Sequence, residues 1–252
     1  MPFLKLPRHL SLLLLCALIL AVLGLAASAW WRAQGAALPA LGPLDDDAWV
    51  MAQVGLDAWT PLDAISPLAM AAVLAGEDDR FFEHKGVDTR EAWQALRTDL
   101  KALRYKRGAG TLTMQVARNV YLGREKTLSR KAKEYQLAEK MEKRFDKRRI
   151  LEVYLNIAEW GPQGERGIGA ASRIYFAKPP ADLSPKEACF LAMLLPNPRR
   201  YSESFTRRKL TRFAQRRVKA LLQGLAREGL LSEAEVQAEM AKPLSFEASP
   251  AR

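Results

Sequence analysis

Glu77-Asp78-Asp79-Arg80-Phe81-Phe82-Glu83-His84-Lys85-Gly86 follows directly on an apolar segment, Leu68 to Ala75. A carboxylate at the end of an apolar helix is a candidate general base, because burial and a neighbouring charge raise its pKa. Taken alone, the same residues also describe an ordinary charged surface turn. Upstream, Ser66-Pro67 marks a helix start, with Ser as N-cap and Pro in the first helical position. Downstream, Asp88 is placed to cap a helix that carries Ala92, Trp93, Leu96, Leu100 and Leu103 on one face.

Two further blocks bear on the reading. Gly108-Ala109-Gly110 leads into Thr111-Leu112-Thr113-Met114-Gln115-Val116-Ala117-Arg118-Asn119. Glycines let backbone N–H groups approach a ligand, and the helix start that follows offers partial positive charge to a phosphate. Thr111, Gln115 and Arg118 share one side by helical spacing. The plain alternative is a mobile basic loop, Lys106 to Gly110, before an ordinary helix. Lys126, Arg130, Lys131, Lys133 and Glu134 then crowd one amphipathic helix, Thr127 to Phe145, with Leu128, Ala132, Tyr135, Ala138 and Phe145 on its apolar face. This is either a salt-bridged solvated face or a set of cations suited to a diphosphate.

Apolar residues make up 49% of the 252, ample for a core, and the net charge of +11 favours an anionic partner. From Leu10 to Trp31 there is no charged residue, a run about long enough to cross a hydrocarbon core. Lys5 and Arg8 precede it and place the N-terminus in the cytoplasm. Ala27-Ser28-Ala29 leaves a cleaved signal peptide as the alternative; on either reading the remainder is exported. Cys16 lies within the apolar run, so no disulfide with Cys189 is expected. The divisions read as a cytoplasmic tail 1–9, an anchor 10–31, a linker and membrane-proximal segment 32–60 in which Ala33 to Pro43 is small and proline-punctuated, a catalytic domain 61–230 and a tail 231–252. Within these, Asp45-Asp46-Asp47 caps a short helix, Asp146 caps one through Ile157, Gly161 to Gly169 is a loop, Ser184-Pro185 starts an apolar helix, and Phe205 to Glu228 reads as one basic amphipathic helix. No alternating strand pattern appears, so the fold class is mainly α. The basic segment Arg199 to Lys219 suits anionic lipid headgroups or plain solvent.

Together these blocks make the chain resemble the monofunctional biosynthetic peptidoglycan glycosyltransferases, glycosyltransferase family 51, whose domain also occurs in penicillin-binding proteins. Their Glu-Asp-x-x-Phe-x-x-His-x-Gly block is matched from Glu77 to Gly86. Their Gly-Gly-Ser-Thr-x-Thr-Gln-Gln-x-x-Lys-Asn block is partly matched from Gly108 to Asn119. An Arg-Lys-x-x-Glu block is matched from Arg130 to Glu134, and Lys-x-x-Ile-Leu-Glu-x-Tyr-Leu-Asn from Lys147 to Asn156. Glu159-Trp160-Gly161, Gly169-Ala170-Ala171, Tyr175-Phe176 and Leu195-Pro196-Asn197-Pro198 resemble the last region. Gly110, Met114 and Arg118 replace the family's Ser, first Gln and Lys, and Lys126 stands where Arg is common. No Ser-x-x-Lys motif accompanies them, so no serine transpeptidase is expected.

The resemblance implies a lysozyme-like, two-lobed domain preceded by one transmembrane helix in the bacterial inner membrane, with the catalytic part periplasmic. It implies polymerisation of lipid II into β-1,4 glycan with inversion and release of undecaprenyl diphosphate. Glu77 would be the general base and Glu134 the second essential carboxylate. Asp78 would orient Glu77. Phe81, His84, Thr111, Gln115, Arg118, Lys126, Arg130, Lys131 and Lys133 would contact substrate, with Phe81 and His84 also readable as packing. No cofactor is implied, although a divalent cation at the diphosphate is compatible with Glu134. Partners would be lipid II, the nascent strand, the membrane, and cell-wall synthesis or division proteins; nucleic acid is not expected of an exported domain without a DNA-binding motif. Loss of a hydroxyl at Gly110 and an amide at Met114 leaves open an impaired relative that binds lipid II or cell-wall partners. A peptidoglycan-cleaving, lysozyme-like enzyme is the remaining alternative.

Overall fold

A computed structural model describes residues 8–90, 93, 97, 110–123 and 125–248, with side chains from residue 16 to 247 over those ranges. The helix expected around Ala92 to Leu103 and most of the Lys106–Gly110 loop lie outside the described residues; Trp93 itself is exposed. The described residues are helical, with one isolated antiparallel bridge between Glu159 and Arg166 and no strand. The longer helices are α1 (Arg8–Ala36), α2 (Asp47–Val54), α3 (Pro67–Glu77), α4 (Leu112–Tyr121), α5 (Leu128–Arg144), α6 (Lys147–Ile157), α7 (Ile168–Phe176) and α8 (Pro185–Leu194). Two single turns, α9 (Pro198–Tyr201) and α10 (Glu203–Thr206), precede α11 (Arg212–Arg227), α12 (Glu233–Ala241) and the short α13 (Ser245–Ala248).

Capping residues account for most starts. Asp46 accepts from Trp49 N, Asp146 from Arg149 N, and Ser184 with Glu187 forms a reciprocal capping box. Ser66 precedes α3 as expected, but its side chain makes no capping bond; its backbone N–H instead donates to Pro180 O at 3.1 Å. The basic helix expected as one piece, Phe205 to Glu228, is broken. Arg208 adopts a left-handed φ of 50°, and Thr211 begins a new helix by accepting from Ala214 N at 3.1 Å.

Core packing sorts the helices into two groups. α8 is buried on every side from Lys186 to Leu194, the signature of a central helix. α3 and α11 pack against it and against each other. In the second group α4 packs on α5 and α6 through Leu112, Val116, Leu137, Met141 and Ile150. Leu128, assigned to the apolar face of α5, is in fact 81% exposed, because it lies in the first turn before α5 reaches the core. The expected C-terminal tail is packed over its described part: Leu231, Val236, Leu244 and Phe246 are buried, and Glu239 accepts from Lys186 N at 3.1 Å.

Cys16–Ala36, 21 residues with mean hydropathy 1.6, is long and apolar enough to cross a membrane. The helix runs past Arg32, where a linker was expected, and its end is docked. Gln136 Nε2 donates to Trp31 O at 2.9 Å, Ser129 Oγ bonds Gln34 Oε1, and Gly35 lies so close that a β-carbon would stand 2.4 Å from Gln136 Oε1. The chain beyond is pinned by Arg144 to Leu41 O at 2.9 Å and by Arg149 to Leu44 O at 2.5 Å.

Gly86 carries the tightest backbone approach between the two halves. Its φ is 92°, and a β-carbon would lie 2.7–2.9 Å from backbone atoms of Ala138 and Glu139. Neither obstacle can rotate away. Gly86→Ala is therefore expected to lower the urea midpoint by a loss of about 2–4 kcal/mol, combining overpacking and left-handed strain; an unchanged midpoint would mean that α5 yields there.

Candidate active site

Glu77 closes the last turn of α3, where the α3–α8–α11 group meets α4 and α6. Gln115 Nε2, one turn into α4, donates to Glu77 Oε2 at 3.1 Å. The hydroxyl of Tyr154, on α6, bonds the same carboxylate. Burial raises the Glu77 carboxyl above its usual range, and the Gln115 and Tyr154 bonds, with the charges of Arg217 and Arg118, partly oppose that. Burial, then the Glu77 charge, holds the Tyr154 phenol well above its ordinary value, so it stays a hydrogen-bond donor.

Asp78 does not orient Glu77. Its carboxylate turns the other way, meeting His84 Nε2 at 3.0 and 3.1 Å and accepting from Leu112 N at 2.9 Å. The N-terminus of α4, expected to face a phosphate, is thus occupied by a carboxylate of the protein itself. Thr111 is likewise spent inside: its hydroxyl donates to Gly86 O at 2.6 Å and accepts from Met114 N. His84 is buried and braces Asp78, which is the packing alternative. Phe81 is fully buried beneath the Lys147 ammonium, 4.1 Å above its ring. Asp78, Phe81, His84 and Thr111 are therefore buried and bonded within the protein, as supports of the site. Met114 is 1% exposed and faces the core, so the absent amide is not lost from the site.

In front of Gln115 and Tyr154 opens a cavity of about 410 Å³ whose wall includes Arg118, Asn119, Lys126 and Arg130. Arg130 pairs with the buried Glu134, which Lys131 also meets at 3.3 Å. Burial and the like charge of Arg118 lower the Arg130 guanidinium from its usual value, though arginine remains charged at neutral pH. Like charges converging on one cavity are relieved by an anion. Lys133 lines a smaller recess of about 150 Å³ beside it, again with Arg130. Lys131 lies behind, over the Tyr135 ring at 5.3 Å. So the structure brings together Glu77, Gln115, Arg118, Lys126, Arg130 and, beneath them, Glu134. Among the described residues no group of His, Cys, Asp and Glu is assembled to hold a metal, and Glu134 is taken by two cations.

Two contributors were not singled out from sequence. Tyr154 sits within the matched Lys147–Asn156 block, yet its partner lies 77 positions away in the chain numbering. Arg217 was grouped with the basic segment; only the packing of α11 on α3, where a β-carbon on Gly76 would lie 3.6 Å from Leu221, brings its charge near Glu77.

A family model described as transglycosylase matches residues 50–226. The chain is 51% identical over 149 residues to a biosynthetic peptidoglycan transglycosylase of Rhodospirillum centenum, covering 59% of this chain and 64% of the relative. It is 42% identical over 147 residues to a protein of the same name from Nitrobacter winogradskyi, covering 57% and 63%. A third, from Azoarcus sp., is 39% identical over 182 residues, covering 70% and 78%. The match therefore spans just under two thirds of the first two relatives and more of the third.

The raised Glu77 carboxyl has a thermodynamic sign. A folded pKa above the unfolded value of 4.5 favours the protonated folded state, so ionised Glu77 costs stability at neutral pH and costs nothing once pH falls below 4.5. Glu77→Gln is expected to melt above the wild type at pH 7, with the difference vanishing towards pH 4; a lower melting temperature at pH 7 would contradict this. Met114→Gln, which buries an amide in the core, is expected to cost about 1–3 kcal/mol by urea titration.

Proposed function

Because the chain belongs to the transglycosylase family, we propose that it is a peptidoglycan glycosyltransferase that polymerises lipid II. The observation that carries this reading is the pairing of one raised, hydrogen-bonded carboxylate, Glu77, with a cavity walled by Arg118, Lys126 and Arg130. Glu77 takes the proton from the 4-hydroxyl of the acceptor N-acetylglucosamine. That oxygen attacks C1 of the donor N-acetylmuramic acid, the bond to undecaprenyl diphosphate breaks, and the α-linked donor gives a β-1,4 product. One direct displacement needs one base and a stabilised leaving group, not a protein nucleophile.

The leaving diphosphate gathers negative charge as the bond breaks. Fixed cations in a partly desolvated cavity stabilise that charge without reorganising. Glu134 keeps Arg130 and Lys131 in place through two ion pairs rather than taking part in proton transfer. Gln115 and Tyr154 fix the Glu77 carboxylate while leaving it basic. No step is routed through a metal. Anchoring by α1 in the inner membrane, with the catalytic part on the periplasmic side, would keep the enzyme beside a substrate that stays in the bilayer and raise its effective concentration.

The same observations bear on the alternatives. Met114 faces the core, which removes half of the case for an impaired relative. A cleaving enzyme gains nothing from a cationic cavity, whereas a diphosphate leaving group requires one.

Lipid II polymerisation by the full-length protein tests the reading. Glu77→Gln is expected to lose about 10²–10⁴-fold in rate, with Arg118→Ala losing less and mainly in donor use. The acid limb of kcat/KM should lie above pH 4.5, because the base must be ionised and its carboxyl is raised from that value. Full activity of Glu77→Gln would remove Glu77 from the base role.

A further inference from the structure

Across the Glu159–Arg166 bridge from the reaction cavity lies a second one, of about 600 Å³, and the two share Glu159 and Arg166 as a common wall. The displacement at Glu77 leaves this second cavity without a task. Its lining carries charge of both signs. Arg166 is committed, donating to Val54 O at 2.6 Å and facing Glu159 at 3.6 Å. Arg173 and Arg199 line the cavity, are exposed, and have no ionic partner among the described residues. The Arg173 guanidinium folds back over α7, with Nη2 3.7 Å from the place a β-carbon on Gly169 would take. On the same lining Asp57 is exposed and also without an ionic partner among the described residues, and the Glu165 carboxylate accepts from Gln163 N at 2.9 Å.

The formal charges of the lining cancel, yet Arg173, Arg199 and Asp57 do not neutralise one another by contact. A purely anionic ligand, such as a phosphate or a lipid headgroup, is served better by the neighbouring cavity, where Arg118, Lys126, Arg130 and Arg166 outnumber Glu159. Separated charges of both signs complement a ligand that itself carries carboxylates and an amino group, since each exposed charge then gains an opposite partner. A muramoyl sugar of a peptidoglycan precursor carries such a ligand: its peptide stem. We infer that this second cavity binds the peptide stem, with carboxylates on Arg173 and Arg199 and a free amino group on Asp57. The assignment rests on the lipid II reading for the identity of the substrate. The Glu159–Arg166 pair separates this cavity from the one walled by Arg118, Lys126 and Arg130.

Binding of a water-soluble disaccharide–pentapeptide, without lipid or diphosphate, to the full-length protein in detergent tests this by calorimetry. The wild type is expected to bind the free peptide about tenfold more tightly than a form with amidated carboxylates, the sum of two or three exposed charge-assisted contacts. Arg173→Gln with Arg199→Gln should erase that preference, and Asp57→Asn should erase the preference for a free over an acetylated amine. These exposed side chains can be exchanged without disturbing the core. Equal affinity of the wild type for free and amidated forms, or an unchanged preference in the arginine variant, would overturn the assignment. So would displacement by an equal concentration of inorganic phosphate, which would mark a simple anion site. The readout needs no turnover. Selective binding without polymer would sink the lipid II reading alone, and polymerisation with no discrimination between stems would sink this one alone.

Discussion

The buried carboxylate of Asp78 is the contact on which the site depends. It caps the N-terminus of α4 through Leu112 N and holds His84 Nε2, while its own residue ends α3. One carboxylate thereby joins the end of one helix to the start of another in a place from which water is excluded. A buried charge of this kind is tolerated only when its lone pairs are satisfied, and a helix N-terminus satisfies them with oriented N–H groups. The consequence one turn further along α4 is that Gln115 reaches Glu77 at 3.1 Å. Thr111, bonded to Gly86 O, and Gly86, pressed against Ala138, extend the same junction to α5 and its cations.

That junction divides the labour between neighbours in sequence. Glu77 and Asp78 are adjacent carboxylates with opposite fates: one is half-buried against Gln115 and Tyr154 with a raised pKa, the other is buried as a brace. The division follows from helix geometry, since the last helical residue and its C-cap point in different directions. The same logic separates Arg130, which reaches the cavity, from Glu134, one turn later and 2% exposed. A charge too deep to meet a substrate still sets where the cation above it stands.

The N-terminal apolar helix is packed into this arrangement. The C-terminal end of α1 packs on α5, the helix that carries Arg130, Lys131 and Lys133. On the proposed reading, a lipid-linked substrate would be met by cations on a helix against which α1 is packed. At Gly35 a β-carbon would meet the amide end of Gln136, which holds α1 through Trp31 O.

Much of this was legible in the chain. The mainly helical class, the apolar N-terminal span, most caps and the Glu77, Gln115, Arg118, Lys126 and Arg130 candidates follow from local chemistry: periodicity, capping residues and charge are properties of a few consecutive positions. What a side chain does when two distant segments meet is not such a property. Whether Asp78 assists Glu77 or caps α4, whether Met114 faces substrate or core, and whether Arg217 touches solvent or the base all depend on helix rotations set by packing elsewhere. The break at Arg208 and the docking of 231–247 depend on it too. Sequence by itself determined which residues are candidates for the chemistry and which segments are helical; only tertiary structure decided which of those residues line the cavity, because exposure and pKa arise from burial and from charges brought near by long-range contacts.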